Sequence, residues 1–372
     1  MKKTKLVQKP FITLAIVVFV VAAIIYLQSQ KAEVDYSKLD NSKQIEEKNS
    51  KYPRAPDFVG IERWINSEPL KIEQLRGKVV LVDFWTYTCI NCIRTLPYLK
   101  DWDKKYRDKG LVIVGVHTPE FDFEKKYENV LKAVNDYQLK YAVAQDNNYA
   151  TWSVYQNRYW PHKFLIDIDG YIRYDHIGEG NYDETEKMVQ LLLNERMERL
   201  NQKNGINLNM SKPKEAVDVS SFNVRTPEIY FGYQFSRGNF GYAGIKPEQV
   251  IDYKFPSSPT KNYVYLDGKW KNNADNMELI SDEGSILLIF DAKSANIVAG
   301  SENGSKSFVF LDNEFVNEGN KGSDVIIEEN KSISKIQEFK LYNLASAENY
   351  GVHALNIDVM GKGFKIYTFT FG

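Results

Sequence analysis

Lys78 opens the apolar run Val79-Val80-Leu81-Val82-Asp83-Phe84-Trp85, broken only by Asp83, and three residues beyond it two cysteines stand three apart, Cys89 and Cys92. A short run this apolar reads as a buried strand. From Cys92 to about Lys109 the pattern is helical, with Gly110 at the expected stop. The pair therefore sits at a strand-to-helix turn, with Cys89 where the helix begins. Unpaired backbone N–H groups and the helix dipole at that end stabilise a thiolate. Cys89 is thus the candidate attacking sulfur, and Cys92, one turn later, the candidate resolving one.

The flanking sequence continues in the same style from residue 56 to about 200. Leu111–Val116 reads as a second buried strand, and Glu124–Gln138 as a second helix. Lys163–Asp167 and Tyr171–Tyr174 form a hairpin around Asp169-Gly170, and Asp183 to about Leu200 is a closing amphipathic helix. Alternating strands and helices of this kind predict an α/β domain over 56–200. Residues 201–214 are polar and rich in Asn and Lys, a linker. Over 215–372 the pattern changes to short strands between turn residues, such as Tyr263–Leu266, Ser285–Phe290, Ser307–Leu311 and Phe364–Phe371. This spacing predicts an all-β sandwich or jelly roll.

Two cysteines in 372 residues are too few and too close for a structural disulfide framework. A bridge across three residues closes almost no loop and adds little through chain entropy. His117, His162, His176 and His353 are not spaced to complete a zinc site with the pair, and no metal or cofactor is expected. Redox chemistry between thiol and disulfide remains, with protein thiols and disulfides as substrates. The net charge of −1, with acids and bases intermixed, gives no basic face for nucleic acid.

Charge is asymmetric only at the start. Lys2, Lys3, Lys5 and Lys9 precede an apolar run from Phe11 to Leu27. Residues 1–30 read as a single transmembrane anchor, cytoplasmic at its N-terminus, with 31–55 a polar tether and all that follows extracytoplasmic. A cleaved signal peptide is the alternative; Gln28-Ser29-Gln30-Lys31 lacks a clean small-x-small cleavage site.

Val80–Trp85 followed by Cys89-Ile90-Asn91-Cys92 resembles the strand, turn and active site of the thioredoxin superfamily. The resemblance implies that Asp83 lies beneath the pair and relays a proton to Cys92, a role that burial suits by raising a carboxyl pKa. It also implies a cis bond at Trp160-Pro161, with Trp160 and Pro161 forming part of the substrate surface. His162 replaces the threonine more common there and reads as a partly exposed strand histidine without a catalytic role. Ile90-Asn91 replaces the Gly-Pro of thioredoxin, so neither oxidant nor reductant can be read from the pair.

A fuller likeness is to DipZ-type proteins. It covers Trp85–Pro97, Gly115–Phe121, Asn157–Pro161, Arg225–Tyr233 and the ending Tyr367–Gly372. It implies a thioredoxin-like domain followed by a carbohydrate-binding-module-like β-sandwich. In that family a CcdA-like membrane electron carrier often precedes these domains. This chain has one apolar segment instead, so the likeness implies a reductase fed by a separate CcdA-like protein.

Two rival readings differ in class. Thr86-x-x-Cys89 echoes the peroxiredoxin nucleophile, but Val82 stands where that motif has proline. Tyr230, Tyr233, Tyr263, Tyr265 and Trp270 offer stacking faces for a glycan, against the ordinary use of aromatics in β-sandwich cores.

Overall fold

The computed structural model describes residues 42–202, 205–219, 221–242 and 246–372. The apolar run Phe11–Leu27 lies outside them. Among the described residues no helix is long and apolar enough to cross a membrane.

The N-terminal domain is built on six strands: β1 (Arg63–Ile65), β2 (Val79–Trp85), β3 (Leu111–His117), β4 (Ala142–Gln145), β5 (His162–Ile166) and β6 (Ile172–Ile177). Their order in the sheet is β1-β4-β3-β2-β5-β6. Central β2 pairs parallel with β3 and antiparallel with β5, and all seven of its residues are buried. That position accounts for its apolar sequence. Strand residues alternate between faces. Val80, Val82 and Phe84 therefore join one core cluster with Phe58, Val114 and Phe164, and Leu81 and Trp85 join the other. That second cluster is covered by α2 (Ile90–Tyr106), α3 (Tyr127–Asp136) and α5 (Tyr182–Arg199), following α1 (Ser42–Lys51) in chain order, with short α4 (Ala150–Val154) between α3 and α5. Gly115, opposite Asp83, is required by packing: a Cβ there would lie 2.9 Å from the Trp85 indole nitrogen.

Two elements differ from the sequence reading. The helix expected from Glu124 opens instead as a 3-10 turn, Asp122–Lys125, because the Glu124 carboxylate reaches back to the amides of Glu120 and Phe121. Within the segment read as a tether, α1 docks on the sheet domain. Lys48 Nζ lies 2.7 Å from both Asp167 and Asp169 and 2.6 Å from Glu195. Arg173 and Arg199 complete this cluster, so its carboxylates are neutralised from within the chain. The β2–β5 register sets Val80 beside Ile166 and Phe84 beside His162. The Lys48 cluster therefore occupies the pole of the sheet opposite the cysteines.

The polar linker is also held: Ser211 donates from its amide (2.7 Å) and hydroxyl (3.0 Å) to Glu186 on α5. Beyond it, the described residues of the C-terminal region form one hydrogen-bonded system of eleven strands. These are β7 (Ile229–Tyr230), β8 (Val250–Tyr253), β9 (Val264–Asn272), β10 (Met277–Leu279), β11 (Glu283–Gly300), β12 (Ser305–Leu311), β13 (Glu314–Phe315), β14 (Ile326–Glu328), β15 (Lys331–Ile336), β16 (Lys340–Met360) and β17 (Lys365–Phe371). Long β11 and β16 run together through an irregularity at Ala292/Ser294. On one side of it β11 also pairs β9, and on the other β17, which links the two halves. Trp270, Phe290, Phe364 and Phe369 fill the core. Tyr230, Val298 and Tyr367 instead join the helix-side cluster of the N-terminal domain, so one apolar core runs across both domains.

Candidate active site

Cys89 caps α2: its backbone is extended, and its Sγ accepts the Cys92 amide at 3.3 Å. Both thiols are free, with Cys89 half-buried and Cys92 buried. Burial, then the hydrogen bond and charge of Cys89, then Asp83, push the Cys92 thiol well above its ordinary range. The two sulfurs are therefore unequal. The outer one faces a helix N-terminus, and the inner one holds its proton.

Asp83 lies on the face of β2 shared by Leu81 and Trp85, the face that α2 covers. It is buried, and its Oδ1 has no hydrogen-bond partner among the described residues. Burial pushes its carboxyl up to about 7, with the Lys163 charge pulling the other way. Lys163 is the residue paired with Asp83 in the β2–β5 register, and it is itself buried. Its Nζ donates to the Gly178 carbonyl at 2.9 Å, and burial holds its pKa down.

The Trp160–Pro161 bond is cis. Phe84 pairs with His162, so Pro161 lies beside Trp85 at the sheet end from which the Cys89 loop departs. Pro161 is buried, and its carbonyl accepts from Gly178 at 2.8 Å. Trp160 is half-buried; its indole stands 4.3 Å from that of Trp152 and donates to the Thr118 carbonyl at 3.0 Å. His162 is buried rather than partly exposed, with its ring nitrogens 2.7 Å from Asn157 and 3.0 Å from Asp175.

Sequence reasoning assigned no role to Lys163, His117 or Glu124. His117 is buried, stacks on Tyr87 at 5.6 Å, and places Nε2 3.3 Å from the Thr86 hydroxyl. Burial lowers its pKa to about 3, which keeps it neutral. Glu124 is fully buried and accepts the Thr88 hydroxyl at 2.5 Å, one residue before Cys89. The signal for His117 and Lys163 was a polar residue at the edge of an apolar run; Glu124, among Asp122, Lys125 and Lys126, carried none.

Of the aromatics considered for glycan stacking, Tyr230, Tyr265 and Trp270 are core residues, Tyr233 is half-buried and Tyr263 is exposed. Among the described residues the grouping suited to a metal ion is Asp167, Asp169 and Glu195, where Lys48 already sits.

Comparison with known proteins gives the same outline. Residues 77–172 match a family described as thioredoxin-like, and residues 226–372 one described as a thioredoxin-like C-terminal domain. Protein DipZ of Mycobacterium tuberculosis is 40% identical over 249 residues, 66% of this chain and 35% of DipZ. The chain thus spans about a third of the length of that relative. Thiol-disulfide oxidoreductase ResA of Bacillus anthracis is 32% identical over 132 residues, 36% of this chain and 72% of ResA. Human NHL repeat-containing protein 2 is 36% identical over 133 residues, 35% of this chain and 18% of that protein. With a Cys-x-x-Cys pair capping the helix after its central strand and both domains matched, the chain belongs to the thioredoxin superfamily of thiol–disulfide oxidoreductases, as a DipZ-like member.

Proposed function

We propose that this chain is a membrane-anchored, extracytoplasmic reductase of protein disulfides that works through Cys89, Cys92 and Asp83. The observation that carries the reading is the inequality of the two sulfurs above an unpartnered acid: Cys89 accessible at the helix N-terminus, Cys92 buried as a thiol, Asp83 at about 7 on the sheet face beneath.

The Cys89 thiolate attacks one sulfur of a substrate disulfide. A Cys89–substrate bond forms, the substrate S–S bond breaks, and one substrate thiolate leaves. Asp83, ionised in part near neutral pH, takes the proton of Cys92. The Cys92 thiolate then attacks Cys89 Sγ, closing the Cys89–Cys92 disulfide and expelling the second substrate sulfur, which takes up a proton. Two electrons pass to the substrate, and no bound cofactor is required. Trp160 and Pro161, at the same sheet end, form the surface against which the substrate segment lies.

Regeneration needs a dithiol donor. Likeness to DipZ supports a CcdA-like carrier in the same membrane and hence the reductive direction. The lysine-flanked run Phe11–Leu27 supports an anchor with the catalytic domain outside the cytoplasm. Exchange is favoured over peroxide reduction because the Thr86 hydroxyl is engaged with His117. A supporting role for the C-terminal domain is favoured over glycan binding because Tyr230, Tyr265 and Trp270 are spent in packing.

Cys92→Ala tests the reading. It leaves Cys89 able to attack and unable to be resolved, so substrate proteins accumulate as mixed disulfides at Cys89, released by dithiothreitol. Absence of such adducts, together with failure of the wild type to reduce insulin, would overturn it.

A further inference from the structure

We propose that Glu124 is the positioning residue of the Cys89 loop, and that the C-terminal domain holds Glu124 in place through Glu120 and Tyr230. The inference rests on the exchange chemistry above and gives the second domain a part in it.

The loop from Thr86 to Thr88 carries Cys89, yet all three of its residues are buried. Buried polar groups require partners. The Thr88 hydroxyl finds Glu124 Oε1 at 2.5 Å. Glu124 Oε2 accepts the amides of Glu120 at 2.6 Å and Phe121 at 2.9 Å. One carboxylate thus ties the Cys89 loop to the turn after β3. Among the described residues no salt bridge reaches it; burial raises its pKa, and the hydrogen-bond donors pull the other way. Charge-assisted hydrogen bonds of this kind are short and geometrically demanding.

The same turn is gripped from the other domain. The Tyr230 hydroxyl lies 2.8 Å from Glu120 and 3.0 Å from Glu228. A single phenolic hydrogen serves one carboxyl, so the second contact needs a protonated partner. Glu120 meets that need, since burial and then the Glu124 charge push it up to about 8, against Tyr230 and Arg237, with Glu228 also raising it. Arg237 caps the Tyr230 ring at 4.2 Å. Phe121 packs 5.1 Å from Tyr367, and Phe123 4.7 Å from the same ring. The path runs Tyr230, Glu120, Glu124, Thr88, Cys89.

The test uses the full chain in its reduced form and reads the rate of Cys89 alkylation by iodoacetamide across pH, with the thermal midpoint recorded beside it. Thr88→Val removes one hydroxyl at nearly constant shape. It is expected to slow Cys89 alkylation at pH 7 about tenfold, the size of one charge-assisted bond, and Thr88→Ser to restore it. Tyr230→Phe is expected to act in the same direction by about two- to threefold, a smaller effect because it acts through Glu120. Alkylation needs no substrate protein, so this readout stands apart from the insulin assay: loss of insulin reduction in the wild type defeats the exchange reading, not this one. Lowered thermal midpoints with unchanged Cys89 rate and pH profile in both Thr88→Val and Tyr230→Phe would overturn the proposal, leaving Glu124 a stabilising residue only.

Discussion

Two buried carboxyls stand close to the cysteine pair, and they are furnished in opposite ways. Glu124 is met by a hydroxyl and two amides, whereas Asp83 Oδ1 has no hydrogen-bond partner among the described residues and only the charge of Lys163 to temper its burial. Donors on both oxygens hold Glu124 in one place and oppose, without cancelling, the rise in pKa that burial imposes. A carboxyl left without them sits near neutrality and can exchange its proton. On the proposed reading the first arrangement holds the attacking loop, and the second moves the proton of the resolving thiol.

The largest expected effect removes what both acids serve: Cys89→Ala brings insulin reduction down to the uncatalysed rate, whichever acid is present. Asp83→Asn separates the roles. It is expected to slow turnover about a hundredfold, the loss of one general base, while leaving the rate of Cys89 alkylation close to wild type. It also changes stability in a defined direction. The fold keeps the Asp83 proton up to about pH 7, whereas the unfolded chain releases it near pH 4. Native protein therefore binds more protons across that window, and its stability declines as pH rises through it by up to about 1.4 kcal/mol per unit. Asp83→Asn removes that decline, so the variant is expected to be more stable than wild type by roughly 1–3 kcal/mol at pH 8, and nearly equal to it at pH 4, in denaturant titrations.

Glu124→Gln sharpens the other half. An amide cannot accept from both backbone N–H groups and the hydroxyl at once, so a loss of roughly 1–3 kcal/mol is expected at acid pH. Because burial raises the Glu124 pKa in the fold, wild-type stability falls as pH rises above the ordinary carboxyl range, and the loss is expected to narrow there. Lys163→Met gives the smallest change. The lysine charge pulls the Asp83 pKa down, so its removal is expected to move the alkaline rise of the turnover profile upward in pH. A downward movement would show that Lys163 does not act on Asp83.

The contrast also explains what the sequence could and could not disclose. The buried strand, the helix opened by Cys89 and its stop at Gly110 follow from local pattern; Gly110 does take a positive φ, at 103°. Asp83 and Pro161 stood out because a motif spans only a few residues of chain. Lys163 and Glu124 did not, because their meaning depends on pairing across the fold. A lysine inside a strand reads as solvent-facing until β5 is placed beside β2, and Glu124 lies thirty-six residues from Thr88. For the same reason the polar stretch before the domain read as a tether, although Lys48 finds its carboxylates more than a hundred residues away. Likewise, Tyr230 and Trp270, open to a sugar-binding reading, pack in the interdomain and sandwich cores.

The central claim is that Cys89 and Cys92 act as an unequal pair, and thiol counting against a defined disulfide tests it most directly. Reduced wild type mixed with insulin is predicted to lose two thiols per chain as two appear on insulin, with no lasting adduct. Cys92→Ala is predicted to lose one thiol and retain insulin bound at Cys89. Retention of both wild-type thiols, or an equally stable adduct at Cys92 in Cys89→Ala, would contradict it.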